Sequence, residues 1–214
     1  VDGRLEMPQP AGGLKRRDGT LDIDTALRRH LEYLDTLTQA PERVKMYLDY
    51  YNRTNPTEYR VDEKLNGTFA YSAKEDVILY NPKAKDFTET DFDFVALHET
   101  AHRADLLGIK SYENKRFREA IDRAVMDVQQ NMSLYKSIEG QIRGRAIRDI
   151  FSALSEGELF KESGHTKAYW TARADNRVLE IFAELFVLET QNSQELKIVK
   201  AAWPELWEAY EALF

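Results

Sequence analysis

Apolar residues recur at helical spacing through most of this chain and at strand spacing in one short stretch. Ile23, Leu27, Leu31, Leu34 and Leu37 predict a helix over 21–38, with His30 packed on its apolar side. Pro41 suits the first turn of a second helix carrying Val44, Tyr47, Leu48 and Tyr51. Tyr47, Tyr50 and Tyr51 read as core and boundary packing. From 59 to 80 the pattern changes. Phe69-Ala70-Tyr71-Ser72 and Val77-Ile78-Leu79-Tyr80 are β-prone runs joined by 73–76, and Asn66-Gly67 is a hairpin-turn signal. A small antiparallel sheet is expected here, ended by Asn81-Pro82.

The rest reads as helix. Phe92, Phe94, Val95, Leu97 and Ala101 predict one that starts near Thr90 or Asp91 and ends at Gly108. Residues 113–137 form a long helix on Phe117, Ile121, Val125 and Val128, and another follows from about 141 on Ile147, Ile150 and Leu154. Arg143, Arg145 and Arg148 along it read as a solvated face. Residues 156–170 are irregular, 178–189 return to helix, and a last helix opens near Pro204. The fold class is therefore α+β, mainly helical, in one domain over 21–214. Residues 1–20, with Pro8, Pro10 and Lys15-Arg16-Arg17 and few large apolar groups, read as a flexible arm.

Composition narrows the chemistry. The 37 acidic residues outnumber the 30 basic ones, which argues against a nucleic-acid partner bound by phosphate neutralisation. There is no cysteine, so strong metal ligands must come from His, Asp and Glu, and no thiol nucleophile exists. No apolar run has the length of a membrane span, and no signal-peptide hydrophobic region is present, so no membrane partner is expected and the compartment stays open. The opening Val-Asp-Gly in place of Met reads as a piece of a longer chain, its C-terminal part.

One motif stands out. His98-Glu99-Thr100-Ala101-His102 places two of the four histidines four apart on the predicted motif helix, on one face. Two such imidazoles can share one metal ion, with Glu99 beside them to hold a water as general base, the H-E-x-x-H arrangement of zinc peptidases. A catalytic zinc needs a third protein ligand. Asp105 and Gly108 stand where a third-histidine pattern would need a glycine and a histidine, so that pattern fails. Asp105 lies near His102's face and is expected to orient a ligand histidine. Glu180 is the better third ligand, with Glu184 on the same face accepting from a ligand histidine; His165 is the other candidate. By spacing alone, Glu180 and Glu184 could equally be the hydrated side of an amphipathic helix.

The motif with Asp105, followed by Glu180-Ile181-Phe182-Ala183-Glu184 and a helical tail, resembles the catalytic domain of the anthrax lethal factor-like zincins. The stretches 164–170 and 149–154 also resemble C-terminal modules of phage minor head proteins and related toxins. The resemblance covers about 69–214. It implies a zincin-like fold and Glu180 as third zinc ligand with Glu184 behind it. It also implies a tyrosine ahead of that helix that assists the transition state. Tyr169 is the expected tyrosine, with His165 as another donor and Tyr135 and Tyr112 as substitutes.

The expectation is a zinc-dependent metallopeptidase: His98, His102 and Glu180 hold Zn²⁺, Glu99 is the general base, and the substrate is a peptide or protein. An extended peptide pairing with the sheet edge would reach the metal. The rival expectations are a zincin-like interaction domain of a phage head protein or effector that cuts nothing, and a toxin protease acting on a host protein.

Overall fold

Two helices lie against each other at the centre of the protein, α3 (Phe92–Ala104) and α8 (Ala174–Thr190), and the other elements cover them. The computed structural model describes residues 22–85, 87, 91–161 and 165–214; the arm expected over 1–20 lies outside them. In α8 every residue from 180 to 190 is buried. Such a helix has no side left for water, so its carboxylates must find partners inside the protein.

α1 (Ile23–Thr36) and α2 (Glu42–Asp49, entered from Pro41) form one flank. α2 runs into a wide turn of π-helix over Tyr50–Thr54 that buries Tyr51 and leaves Tyr50 exposed. His30 is packed as expected, with Nδ1 2.8 Å from Asp93 Oδ1 at the start of α3.

The sheet has three strands, β1 (Glu58–Val61), β2 (Phe69–Ser72) and β3 (Val77–Tyr80), in the order β1-β3-β2. It is mixed rather than antiparallel: β2 pairs antiparallel with β3, but β1 runs parallel to β3. Asn66-Gly67 therefore closes no hairpin, because it links two strands that are not partners; the hairpin turn is 73–76, with Asp76 at φ +52°. β3 takes the central place because it carries the two buried apolar residues of the sheet, Val77 and Ile78. The Asn81 amide donates to Thr68 O at 2.9 Å, which fixes the alternation along β2. Ala70 and Ser72 then face β3, while Phe69 and Tyr71 turn their main-chain N–H and C=O to the open edge.

α3 starts where expected, capped by Asp91, whose carboxylate accepts from Phe94 N at 3.3 Å. Gly108 does not end it. The helix widens into a π turn over Asp105–Ile109 and stops at Lys110, which is left-handed at φ +57°. The expected helix over 113–137 is two, α4 (Lys115–Gln130) and α5 (Met132–Ile138), divided at Asn131. α6 (Arg145–Leu154) packs on α8, and the irregular stretch after it ends in the short α7 (Lys167–Ala172). α9 (Leu196–Ala202) and α10 (Pro204–Glu211) close the core against α4 and α8, with Trp203, Trp207 and Tyr210 buried.

Candidate metal centre

His98 and His102, one turn apart on α3, point at α8 with their Nε2 atoms 2.9 Å apart. Glu180 of α8 brings Oε2 to 3.3 Å from His98 Nε2 and 3.7 Å from His102 Nε2. One donor atom from each of the three lies within 4.8 Å of the others, so this group could hold a metal ion. The other carboxylate oxygen of Glu180 accepts from the Tyr169 hydroxyl at 2.6 Å and lies 3.2 Å from His165 Nε2. Tyr169 on α7 and His165 just before it stack with ring centres 3.7 Å apart. His165 is therefore placed beside Glu180 rather than in the ligand group. One turn along α8, Glu184 Oε1 approaches His98 Nδ1 at 3.0 Å without the alignment of a full hydrogen bond, and its Oε2 has no hydrogen-bond partner among the described residues. α8 thus holds His98 from both sides.

The charges suit a cation. Burial alone would raise the Glu180 pKa, but His102, His165 and His98 outweigh it and hold the carboxyl well below its usual range. Glu180 is thus ionised, the form that binds metal. Burial opposes a proton on His98, yet Glu184 and Glu180 overcome it and raise that imidazole well above its ordinary value. Glu184 is pushed up to about 7 by burial, moderated by His98, with Asp149 and Glu180 adding to the rise. Burial and then the Glu180 charge push the Tyr169 hydroxyl upward, so it stays a donor.

Glu99 turns toward the sheet, buried, and its Oε2 accepts from the Tyr71 main-chain N–H at 2.7 Å. Between this edge of β2 and α6 runs a cleft of about 330 Å³ that includes His98, Glu99 and Glu180. Phe69, Phe94, Asp149 and Trp170 line it further along. Trp170 Nε1 is itself buried, with no hydrogen-bond partner among the described residues.

Several expected or unexpected residues have other duties. Asp105 is fully buried and spends both oxygens on Ser111, accepting from its N at 2.5 Å and its Oγ at 2.6 Å. It acts on His102 through charge rather than through a bond. Tyr135 donates to Asp127 at 2.5 Å and packs on Trp203 and Phe151, so its hydroxyl is committed elsewhere. Tyr112 packs against the main core. Arg143 and Arg145 are exposed as expected, Arg145 lying 4.4 Å over the Phe94 ring at the cleft, whereas Arg148 is half-buried, 5.4 Å over Phe160.

The pattern reading missed the Tyr71 amide and Arg103. Arg103 is 2% exposed, beside the second histidine. An arginine buried on a helix would be the only advance signal, since Asp76 and Thr57 lie far from it in sequence. Comparison of this chain with protein-family models, curated proteins and solved structures finds no match to any of them.

Proposed function

We propose that this chain is a zinc-dependent metallopeptidase of the zincin kind, with His98, His102 and Glu180 as ligands. The observation that carries the reading is the convergence of the three donor atoms. Two ligands on a tetrahedral zinc are about 3.3 Å apart, from bonds of about 2.0–2.1 Å. The three edges of the site, 2.9, 3.3 and 3.7 Å, bracket that spacing. Two imidazoles and one carboxylate, with Glu99 alongside, form the donor set of a hydrolytic zinc rather than a closed structural one.

Zinc in that position would lower the pKa of a water toward neutrality and polarise the peptide carbonyl. Glu99 takes the proton from the attacking water and returns it to the departing amine. Tyr169, kept protonated, would turn its hydroxyl from Glu180 to the oxygen that gains charge as the carbonyl carbon becomes tetrahedral. Glu184 holds His98 in its binding orientation. The substrate lies in the cleft as an extended strand along β2, meeting the main-chain groups of Phe69 and the carbonyl of Tyr71.

The test is metal analysis of the wild type and Glu180→Ala, with a peptide-library digest of the wild type and Glu99→Gln. The reading expects about one zinc per chain, sharply reduced by Glu180→Ala. Cleavage products should appear with the wild type alone. Zinc in the wild type with no cleavage of any library would instead make it a metal-bearing interaction domain.

A further inference from the structure

Glu99 and Arg103 stand one turn apart on α3, both turned toward the sheet and both buried. The Arg103 guanidinium grips Asp76 with two parallel bonds, Nε to Oδ1 at 2.6 Å and Nη2 to Oδ2 at 2.7 Å. Its remaining nitrogen, Nη1, donates to Asn55 O at 2.7 Å and Thr57 Oγ1 at 2.8 Å, and the guanidinium lies 4.6 Å over the Tyr51 ring. Asp76 is the last residue of the β2–β3 turn and also accepts from the Tyr71 hydroxyl at 2.8 Å. Tyr71 in turn presents its edge N–H to Glu99. The chain of contacts starts and ends on the same helix.

We infer that Arg103 is a positioning residue for Glu99, acting through Asp76 and the main-chain amide of Tyr71. The physical case rests on orientation. A glutamate has three side-chain torsions and costs entropy to fix. A charge-assisted bond from a rigid main-chain donor selects one orientation, but only if the donor itself stays in place. β2 is an edge strand held by one neighbour, so its distance from α3 is set by whatever ties the hairpin turn to the helix. Arg103 is that tie. Its planar fork fixes both the separation and the angle of the turn, which a lysine at the same place could not do. The inference rests on the peptidase reading for its kinetic consequence, but its geometry is testable without it.

Two measurements test it on the intact chain. The first is exchange of the Tyr71 amide proton with solvent, followed by NMR in the wild type, Glu99→Ala and Arg103→Met. Loss of a bond to a charged acceptor should speed exchange about 10- to 100-fold in both variants. Unchanged protection in either overturns the inference, whatever the enzyme does. The second is steady-state cleavage of a peptide found in the library, with zinc content measured on the same samples. Arg103→Met should lower kcat about 10- to 100-fold with KM within about threefold and zinc at the wild-type level, and Arg103→Lys should recover little of it. Tyr71→Pro removes the donor itself at an edge position that proline can occupy, and should reproduce the kcat loss, whereas Tyr71→Phe keeps the amide and should lose much less. Full activity in Tyr71→Pro, rescue by lysine, or a parallel fall of zinc and kcat overturns the inference. Absence of any cleavage by the wild type overturns the peptidase reading alone, because the exchange data still decide the geometry.

Discussion

Replacing Glu184 by Gln should weaken metal binding strongly at alkaline pH and barely at acid pH. The substitution keeps the shape and removes one buried charge 3.0 Å from His98 Nδ1. Two effects oppose each other. The carboxylate orients the imidazole and adds negative charge behind it, and losing such a partner weakens metal binding about 10- to 100-fold. The same carboxylate raises the His98 pKa, so in the metal-free chain a proton occupies the ligand and competes with the ion. Removing Glu184 lowers that pKa and relieves the competition about tenfold for each unit it falls. At pH 8.5 Glu184 is ionised, since its pKa is about 7. Competition is weaker there than at pH 6, so more of the orienting loss shows, up to about 1.4 to 2.7 kcal/mol. At pH 6 the wild-type Glu184 is itself largely protonated and resembles glutamine. The two affinities should then agree within about threefold. The assay is competition against a zinc-chelating indicator at both pH values and constant ionic strength. An equal loss at pH 6 and 8.5, or a larger one at pH 6, would show that Glu184 does not govern His98 in this way.

The other expectations follow from single contacts. Glu99→Gln should retain zinc while kcat falls by a factor on the order of 10²–10⁴, and full turnover would remove Glu99 from the mechanism. Tyr169→Phe should lower kcat about 10²-fold with zinc retained, because a donor to the developing oxyanion is lost; a change confined to KM would assign the hydroxyl to substrate binding instead. Phe182→Ala, at a fully buried position on α8, should cost about 3–5 kcal/mol in urea unfolding, and less than about 1.5 would mean that the core collapses around the gap. Asp76 has its pKa lowered chiefly by the Arg103 hydrogen bonds, against burial. Its share of stability is therefore present above about pH 4, its unfolded value, and is lost as pH falls through the lower folded value. Arg103→Met should remove that part of the acid dependence, and an unchanged acid limb in pH-dependent unfolding would refute the link.

Local periodicity made most helices legible. The Phe94–Leu97 run and the i, i+4 pair of histidines needed only one helix to be seen, and a start near Thr90 or Asp91 followed from the same periodicity. What was not legible depended on partners far away in sequence. Asn66-Gly67 has hairpin chemistry, but the β1–β2 link cannot use it because β3, arriving later, inserts between the two strands. Gly108 is a plausible helix end by residue type. The buried Asp105 instead fixes the Ser111 amide, and the chain turns at Lys110 to reach it. Arg145 is the surface charge its pattern suggests, but its place over Phe94 of another helix could not be read from that pattern.

The question left even by spacing, whether Glu180 and Glu184 bind or merely face water, had an answer within the sequence. Between 178 and 190 the apolar residues Val178, Leu179, Ile181, Phe182, Ala183, Leu185, Phe186, Val187 and Leu188 surround the helix rather than lining one side of it. A helix apolar all round is buried, and a buried carboxylate is stable only with a cation or donors at hand. The three glutamates of this stretch obey that rule. Glu189 takes Arg43 and the Tyr210 hydroxyl at 3.1 Å, Glu184 takes His98, and Glu180 takes the two motif histidines with Tyr169. Arg43 gives Glu189 a permanent cation, and that pair is structural. Glu180 has, among the described residues, only imidazoles and a phenol beside it, none of them a permanent cation, so a divalent ion can take the place at its carboxylate. The distinction between a structural glutamate and a candidate ligand glutamate on one helix thus comes down to whether a permanent cation already holds it.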